Sequence, residues 1–470
     1  MKTLQRDFIL VVLANLLSKP LWLIVDNLAQ NRIGHESYGI IGALLGLGQW
    51  AAALADWGLY VLVTREMARS LGTYRSLSGF TLTLKLILTL LSAAVFMGLG
   101  WIIGYRGKAF IWLVALLGYQ LSLSYLQYFR AFFQGAQRFR LDALLSAAEK
   151  AVVLILLAGL WGMLDGDTYV GVLLTAGMLT AIGTGVGVWH QYGLPVLQAE
   201  RRSLWAIFRQ MTPFALLSYA STLNERLNQV LLERWVGPYA NGLYWGAYRW
   251  FAAAMMYLWI VLPMFFARFA KLGRQRGTEL WRTFVWGQLV SALPIVAVAG
   301  LFVGTPQFFL ILFTSSSSQE ISEMAKMLQV SAIPLLINGL TAIYGTYLTA
   351  VGYEWVCFWV MLGASFTNFV SCALMLPLLS GLGAVIALGL SYLFYSAGLL
   401  WIFKAKAPVP VPSSTLMRLG GLSVLYVGGL FGIGQVSQSW LAFISAVPLF
   451  IGSGWLVGLF RDWRYANRRG

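Results

Sequence analysis

The stretch "ALADWGLYVLVTREMAR", residues 53–69, sets the reading of the whole chain. Asp56 sits inside an apolar run, and Arg65, Glu66 and Arg69 crowd together where that run stops. A charge at the centre of a membrane helix costs about 2.5–3.5 kcal/mol on insertion scales, so Asp56 implies a partner or a water-filled cavity. A basic cluster closing an apolar run is the mark of a cytoplasmic anchor.

Working outward, the same pattern fills the chain. Of its 470 residues 59% are apolar and 11% charged, whereas soluble domains carry about a quarter charged residues. A water-soluble globule is excluded. Apolar runs of about 20 residues recur, the signature of a polytopic helical membrane protein, and the short alternating segments of a membrane β-barrel are not found. The first run is too long and too polar in its middle for a cleaved signal peptide, so it reads as helix one. The net charge of +16 lies in short clusters between apolar runs and does not point to nucleic acid. Cys357 and Cys372 fall in one hydrophobic segment and read as buried thiols, and the two histidines and two cysteines have no metal-site spacing. No cofactor and no metal are expected.

Hydropathy divides the chain into about fourteen spans. They fall near 8–31, 40–63, 80–104, 109–133, 143–164, 169–192, 211–233, 244–267, 283–304, 324–352, 356–380, 382–403, 416–434 and 441–460. Every second loop is basic, from Lys2 and Arg6 through Arg65, Arg69 and Arg75 to the closing Arg468 and Arg469. The alternate loops carry little positive charge, so both termini are expected in the cytoplasm. The stretch 305–323 begins as a short apolar helix, ends in a serine run and reads as partly interfacial.

The chain also repeats itself. "RIGHESYGIIG" after helix one matches "WVGPYANGLYWG" after helix seven, with Gly34 aligned to Gly237 and Gly39 to Gly242 at an offset of 203. That offset pairs Asn15 with Ser218, Lys19 with Thr222, Trp22 with Glu225, Asp26 with Gln229 and Gln30 with Glu233. Steps of three and four residues put each set on one face of its helix. Two six-helix halves follow, 1–200 and 201–410, with two further helices and a basic tail at 411–470. Six helices separate the copies, so the halves are related by an axis along the membrane normal.

Ionisable residues at membrane depth usually face a bundle interior or an aqueous cavity. Lys85 and Lys150 lie near the cytoplasmic edge and read as structural, able to snorkel. Glu149 reads as a neutralising neighbour of Lys150. Lys19, Asp26, Glu225 and Arg226 lie deeper, and Arg249 sits about a turn from the external edge. Lysine and arginine in a partly dehydrated cavity attract phosphate and pyrophosphate. The expected substrate contacts are therefore Lys19, Arg226, Arg249 and Trp22. Asp26, Glu225 and Asp56 are expected to balance charge or bind a coupling H+ or Na+.

Residues 31–69, from "NRIGHESYG" through "DWGL" to "TREMAR", resemble the first hairpin of the Wzx-like polysaccharide flippases of the multidrug/oligosaccharidyl-lipid/polysaccharide exporter superfamily. The residues that carry the likeness are Asp56, Gly58, Leu59, Arg65 and Glu66, joined by "FFQGAQRFRLDALL" (132–145), "GLYWGAYRWF" (242–251) and "LMLPLLSGLGAVIALGLS" (374–391). The resemblance implies two six-helix lobes around a cavity with alternating access to the two leaflets. It implies a polyprenyl-pyrophosphate-linked oligosaccharide as substrate, moved across the bacterial inner membrane for cell-surface polysaccharide synthesis, with membrane lipids and other polysaccharide-assembly proteins as partners. It implies no catalysis. Arg65 and Glu66 then read as a cytoplasmic gate or packing pair. The rival readings are an ion-coupled multidrug exporter of the same superfamily and a membrane-embedded glycan polymerase or scaffold. Five deep positive charges against four negative favour an anionic substrate over cationic drugs, and no loop is large enough to supply a polymerase's acid/base residues.

Overall fold

The computed structural model describes residues 22–69, 74–195, 201–273, 277–436 and 439–458. Among them all regular structure is helical, because a backbone in lipid must satisfy its own hydrogen bonds. In chain order the helices are α1 (22–33), α2 (His35–Asp56), α3 (Leu59–Arg69), α4 (Tyr74–Ile103), α5 (Gly107–Gly135), α6 (Phe139–Leu160), α7 (Gly166–Tyr192) and α8 (Arg201–Trp235). There follow α9 (Pro238–Leu272), α10 (Thr278–Gly304), the short α11 (Pro306–Leu310), α12 (Ser318–Ala350), α13 (Glu354–Lys406), α14 (Ser413–Val436) and α15 (Ser439–Leu456). Ten helices among the described residues are long and apolar enough to cross a membrane. The chain is an all-α, multi-pass membrane protein. α8 has the length of a span, 35 residues, but the run Asn224, Glu225, Arg226, Asn228 and Gln229 makes it too polar to count among them.

Three elements need comparison with the sequence reading: two differ from it, and the third agrees once its kink is recognised. The second expected span is broken into α2 and α3 at Trp57 and Gly58, whose φ values are 43° and 80°. Glycine adopts that conformation freely; Trp57 is held in it by stacking on Phe208 of α8, ring centroids 5.0 Å apart and planes 1° from parallel. The tenth span begins earlier than 324, because Ser317 and Glu320 form a reciprocal cap that starts α12 at Ser318.

The third is α13. Its 53 residues in line would reach about 80 Å, far more than a hydrocarbon core of about 30 Å. Ser380 breaks it with φ 52° and ψ −130°. A Cβ built on Gly383 would lie 2.5 Å from the Met375 carbonyl, one on Gly363 2.8 Å from Phe394, and one on Gly398 2.5 Å from Val360. Contacts that close symmetrically about one residue mean an antiparallel hairpin. The two arms correspond to the separate spans read at 356–380 and 382–403.

The chain packs as two compact units, Met1–Gly242 and Leu243–Gly470. In the first, α2 runs beside α4, α5 and α8, tied by Ser92 Oγ to Ala51 O (2.6 Å), Ser124 Oγ to Ala52 O (3.4 Å) and Trp50 Nε1 to Thr222 O (3.2 Å). Its apolar core near the α3 end gathers Leu62, Val63, Met67, Tyr128, Phe129 and Phe132. In the second unit α10 lies antiparallel to α12, with Ser291 Oγ on Gly339 O (3.4 Å), and parallel to α14, with Tyr426 Oη on Ala297 O (3.3 Å). Phe269, Phe284, Tyr344, Tyr347 and Phe403 form an aromatic cluster in the same unit, edge to face except for the tilted Phe269–Phe284 pair.

Within the first unit the two copies of the repeat meet. Gly34 and Gly237 both turn the chain with left-handed φ, 90° and 133°, into α2 and α9. At the crossing of those helices a Cβ on Gly39 would collide with the Pro238 carbonyl, and one on Gly242 with the His35 carbonyl. Pro238 is the repeat equivalent of His35, so the contact is reciprocal. Two side chains complete it: Asn241 Nδ2 donates to Gly39 O and Gln30 Nε2 to Gly242 O, both at 2.7 Å.

Candidate functional site

The stripe on α1 opens the site. Trp22, Asp26 and Gln30 follow one another at four-residue steps, so one face of α1 is aromatic, acidic and amide in turn. Asp26 is 6% exposed. Its Oδ1 accepts from the hydroxyl of Tyr38 on α2 and from that of Tyr169 on α7, the latter at 2.5 Å. Both tyrosines are buried, and their rings lie 5.7 Å apart. A carboxylate taken out of water needs such donors to remain affordable in free energy.

A second polar group adjoins α1. Glu149 on α6 accepts from Tyr119 Oη at 2.8 Å and pairs with Lys150 Nζ at 3.0 Å. The Lys150 ammonium also sits over the Trp22 ring, 4.2 Å from its centroid. Trp22 is thus a platform for a cation that is itself balanced by Glu149, a cation–π arrangement strengthened by partial burial. Glu149 neutralises Lys150, as its place in the sequence suggested.

Asp56 closes α2 at the helix break. Lys85 of α4 reaches it at 3.5 Å and donates to Ser124 Oγ at 2.5 Å, with the Tyr125 ring 5.5 Å away. The Lys85 side chain is 0% exposed. It does not snorkel: the partner carboxylate and hydroxyl draw the ammonium inward, where it lies near the C-terminal end of α2, favourable ground for a cation. This corrects the expectation from its position near the membrane edge.

On α8, Arg226 Nε donates to Gln49 Oε1 of α2 at 2.5 Å. Gly46 leaves room for the Arg226 stem, 3.6 Å from where its Cβ would be. Glu225 precedes it on the same helix. Gln229, the repeat partner of Asp26, is fully buried one turn on. Arg249 belongs to the second unit; it is 4% exposed and its Nε lies 3.4 Å from Trp245 O. Arg65 and Glu66 on α3 pair with each other at 3.1 Å on the surface. Lys19 lies outside the described residues. The first unit spreads Asp26, Arg226 and Asp56 along α2 and does not gather them at one point: Asp26 meets Tyr38 near its start, Arg226 meets Gln49 further on, and Asp56 lies at its end.

Two networks escaped the sequence reading. Arg130 Nε (2.8 Å) and Gln134 Nε2 (3.0 Å) both donate to Asp142, and Tyr60 Oη donates to Gln134 at 2.6 Å. This ties α3, α5 and α6 together through the segment 132–145. Near the loop "YRGK", Tyr105 Oη donates to Glu233 at 2.7 Å and stacks under Arg234, 4.1 Å away. The repeat did flag Glu233; the tyrosines gave no signal, because hydroxyl-bearing rings in a membrane protein look like interfacial belt residues. Among the described residues no group of three or more His, Cys, Asp or Glu could hold a metal ion.

The comparisons with known proteins agree with this architecture. The family described as "Polysaccharide biosynthesis protein" matches residues 4–272, more than half the chain and all of α1–α9. No curated protein matches. Among solved structures, the lipid II flippase MurJ in an inward-closed conformation superposes with a TM-score of 0.71 at 14% identity, covering 97% of this chain and 99% of that one. An inward-facing multidrug resistance MATE family transporter of the MOP superfamily gives 0.63 at 14% identity, over 86% of this chain and 94% of that one. A MOP superfamily transporter from Pyrococcus furiosus gives 0.60 at 16%, over 88% and 94%. At these identities the likeness is one of fold.

Proposed function

The chain belongs to the polysaccharide biosynthesis protein family, and from that premise we propose that it is a non-catalytic flippase. Its substrate is a polyprenyl-pyrophosphate-linked oligosaccharide, carried between the leaflets of the bacterial cytoplasmic membrane by alternating access. The observation that carries this reading is Arg226, held by Gln49 at 2.5 Å inside a helix of span length within the family-matched segment. Held through Nε by a neutral amide, Arg226 keeps a permanent positive charge on a planar guanidinium, the group that grips phosphate oxygens.

In the same proposal Lys19 and Arg249 extend the cationic path, and Trp22 offers its ring to the sugar or prenyl portion. Asp26, Glu225 and Asp56 balance the charge or take up a coupling H+ or Na+, and Arg65 with Glu66 braces the cytoplasmic end. The functional halves are 1–200 and 201–410, and the helices after 410 are an addition available to other polysaccharide-assembly proteins. The basic loops put both termini in the cytoplasm.

The test uses purified protein in liposomes that carry a short prenyl-pyrophosphate disaccharide on one leaflet. Exposure of the sugar on the other leaflet is followed with a membrane-impermeant glycan-modifying enzyme. Wild-type protein should expose the sugar. Arg226→Ala should slow exposure roughly tenfold to a hundredfold, the loss of one or two charge-assisted hydrogen bonds, and Arg226→Lys less. Unchanged rates in folded Arg226→Ala would remove the arginine from the substrate path. No exposure, with ion-driven efflux of cationic dyes from the same vesicles, would establish the multidrug exporter that the MATE likeness in fold also allows.

A further inference from the structure

The reciprocal crossing of α2 and α9 contains an imidazole, that of His35. Gln30 Nε2 lies 2.7 Å from Gly242 O and 3.0 Å from His35 Nδ1. A carbonyl oxygen only accepts, so the Gln30 amide must turn its nitrogen toward Gly242. The second hydrogen of that nitrogen then points to His35, whose Nδ1 must present a lone pair. The neighbours thus fix the tautomer: the neutral ring carries its proton on Nε2.

We infer that His35 is a proton-sensing site that controls how the start of α9 is seated on α2. A proton on Nδ1 turns the acceptor into a donor aimed at another donor. Rotating the Gln30 amide would satisfy His35, but it would set Oε1 against the Gly242 carbonyl. No orientation of the amide serves both partners once His35 is charged. The Gln30 bridge is lost, while that of Asn241 to Gly39 remains.

Aromatic and charged groups on the same elements have partners of their own. Tyr239 at the start of α9 meets the imidazole edge-on, centroids 6.2 Å apart and planes at 89°. Arg32 on α1 donates to Gly162 O at 3.1 Å. Asp26 is engaged by Tyr38 and Tyr169, and Glu233 at the end of α8 by Tyr105 and Arg234. Glu36, next on α2, is exposed. Imidazole is the side chain that ordinarily changes charge between pH 5 and 8. The inference does not depend on what the protein transports.

The chain has two histidines, His35 and His190, so the imidazole nitrogens can be observed directly. Full-length protein labelled with nitrogen-15 at histidine, in lipid nanodiscs, is examined by NMR, with His190→Gln used for assignment. At pH of about 8, His35 should show the Nε2–H tautomer with an accepting Nδ1. Gln30→Glu places a carboxylate at Nδ1 and should move the proton there.

In parallel, amide exchange across residues 237–243 is measured and corrected for intrinsic pH dependence. Acidification to about pH 5.5 should lower protection roughly threefold to tenfold, the equivalent of one hydrogen bond, and leave it unchanged in His35→Gln. A wild-type Nδ1–H tautomer at high pH would overturn the inference, as would an equal loss of protection in His35→Gln. Should His35→Gln not fold, the tautomer in wild type and in Gln30→Glu still decides. Neither readout involves transport, so failure here and failure of the flippase proposal are separate results.

Discussion

Lys85 and Asp56 illustrate how single residues are used in this protein. The lysine is wholly buried while its partner is 24% exposed, so the two ends of the pair are not equivalent. Asp56→Asn would strand an ammonium with no route to water, and breaking a buried pair this way costs about 3–5 kcal/mol. Lys85→Met strands a carboxylate that already touches solvent, and should cost less. The double variant should recover much of the loss, since two neutral groups of similar volume replace a desolvated pair. Thermal unfolding in detergent, run as a double-mutant cycle, checks the order; equal losses in the single variants would refute the asymmetry. The same scale shows what sequence could not supply. Asp56 and Lys85 are 29 residues apart, and nothing in the spacing said that α4 would bring them together.

Elements meet here through glycine as much as through apolar side chains. Membrane helices gain nothing from hiding apolar surface from lipid, so close backbone approach and interhelical hydrogen bonds must hold them. At Gly39 and Gly242 the opposing atom is a backbone carbonyl, which cannot swing aside as a side chain would. Gly39→Ala and Gly242→Ala should each cost at least about 1–3 kcal/mol from overpacking, and to similar extents, because the two sites are reciprocal. Gly98→Ala in α4, where nothing lies within 4 Å of the added methyl, should instead gain up to about 1 kcal/mol of helix propensity. Thermal shifts of the three variants decide. The 203-residue offset between those glycines was legible in the sequence; that the aligned residues touch one another was not, because a repeat specifies equivalent positions and says nothing of which of them lie on the axis relating them.

For the whole molecule, the α13 hairpin determines how the chain threads the membrane. α14 runs parallel to α10, which requires two crossings between α12 and α14, and only a folded α13 supplies them. The Cβ atoms at 360 and 398 would be 3.6 Å apart, within the range that a disulfide spans. Val360→Cys with Gly398→Cys, in a background with Cys357 and Cys372 replaced by serine, should therefore cross-link on mild oxidation. A continuous helix would separate the pair by about 57 Å and give no bond, so a failure to cross-link would undo this threading. By itself the sequence determined the membrane class, the helical content, the positions of most spans and the existence of an internal repeat. Those follow from hydropathy and periodicity, which are local properties of the chain. Only the tertiary structure decided that Trp57 and Gly58 break the second span, that Lys85 turns inward, that tyrosines from α2, α5 and α7 clothe Asp26 and Glu149, and that Gln30 fixes the tautomer of His35. Each of these depends on which helix lies beside which, and pairing between distant segments is set by packing in space that no window of sequence contains.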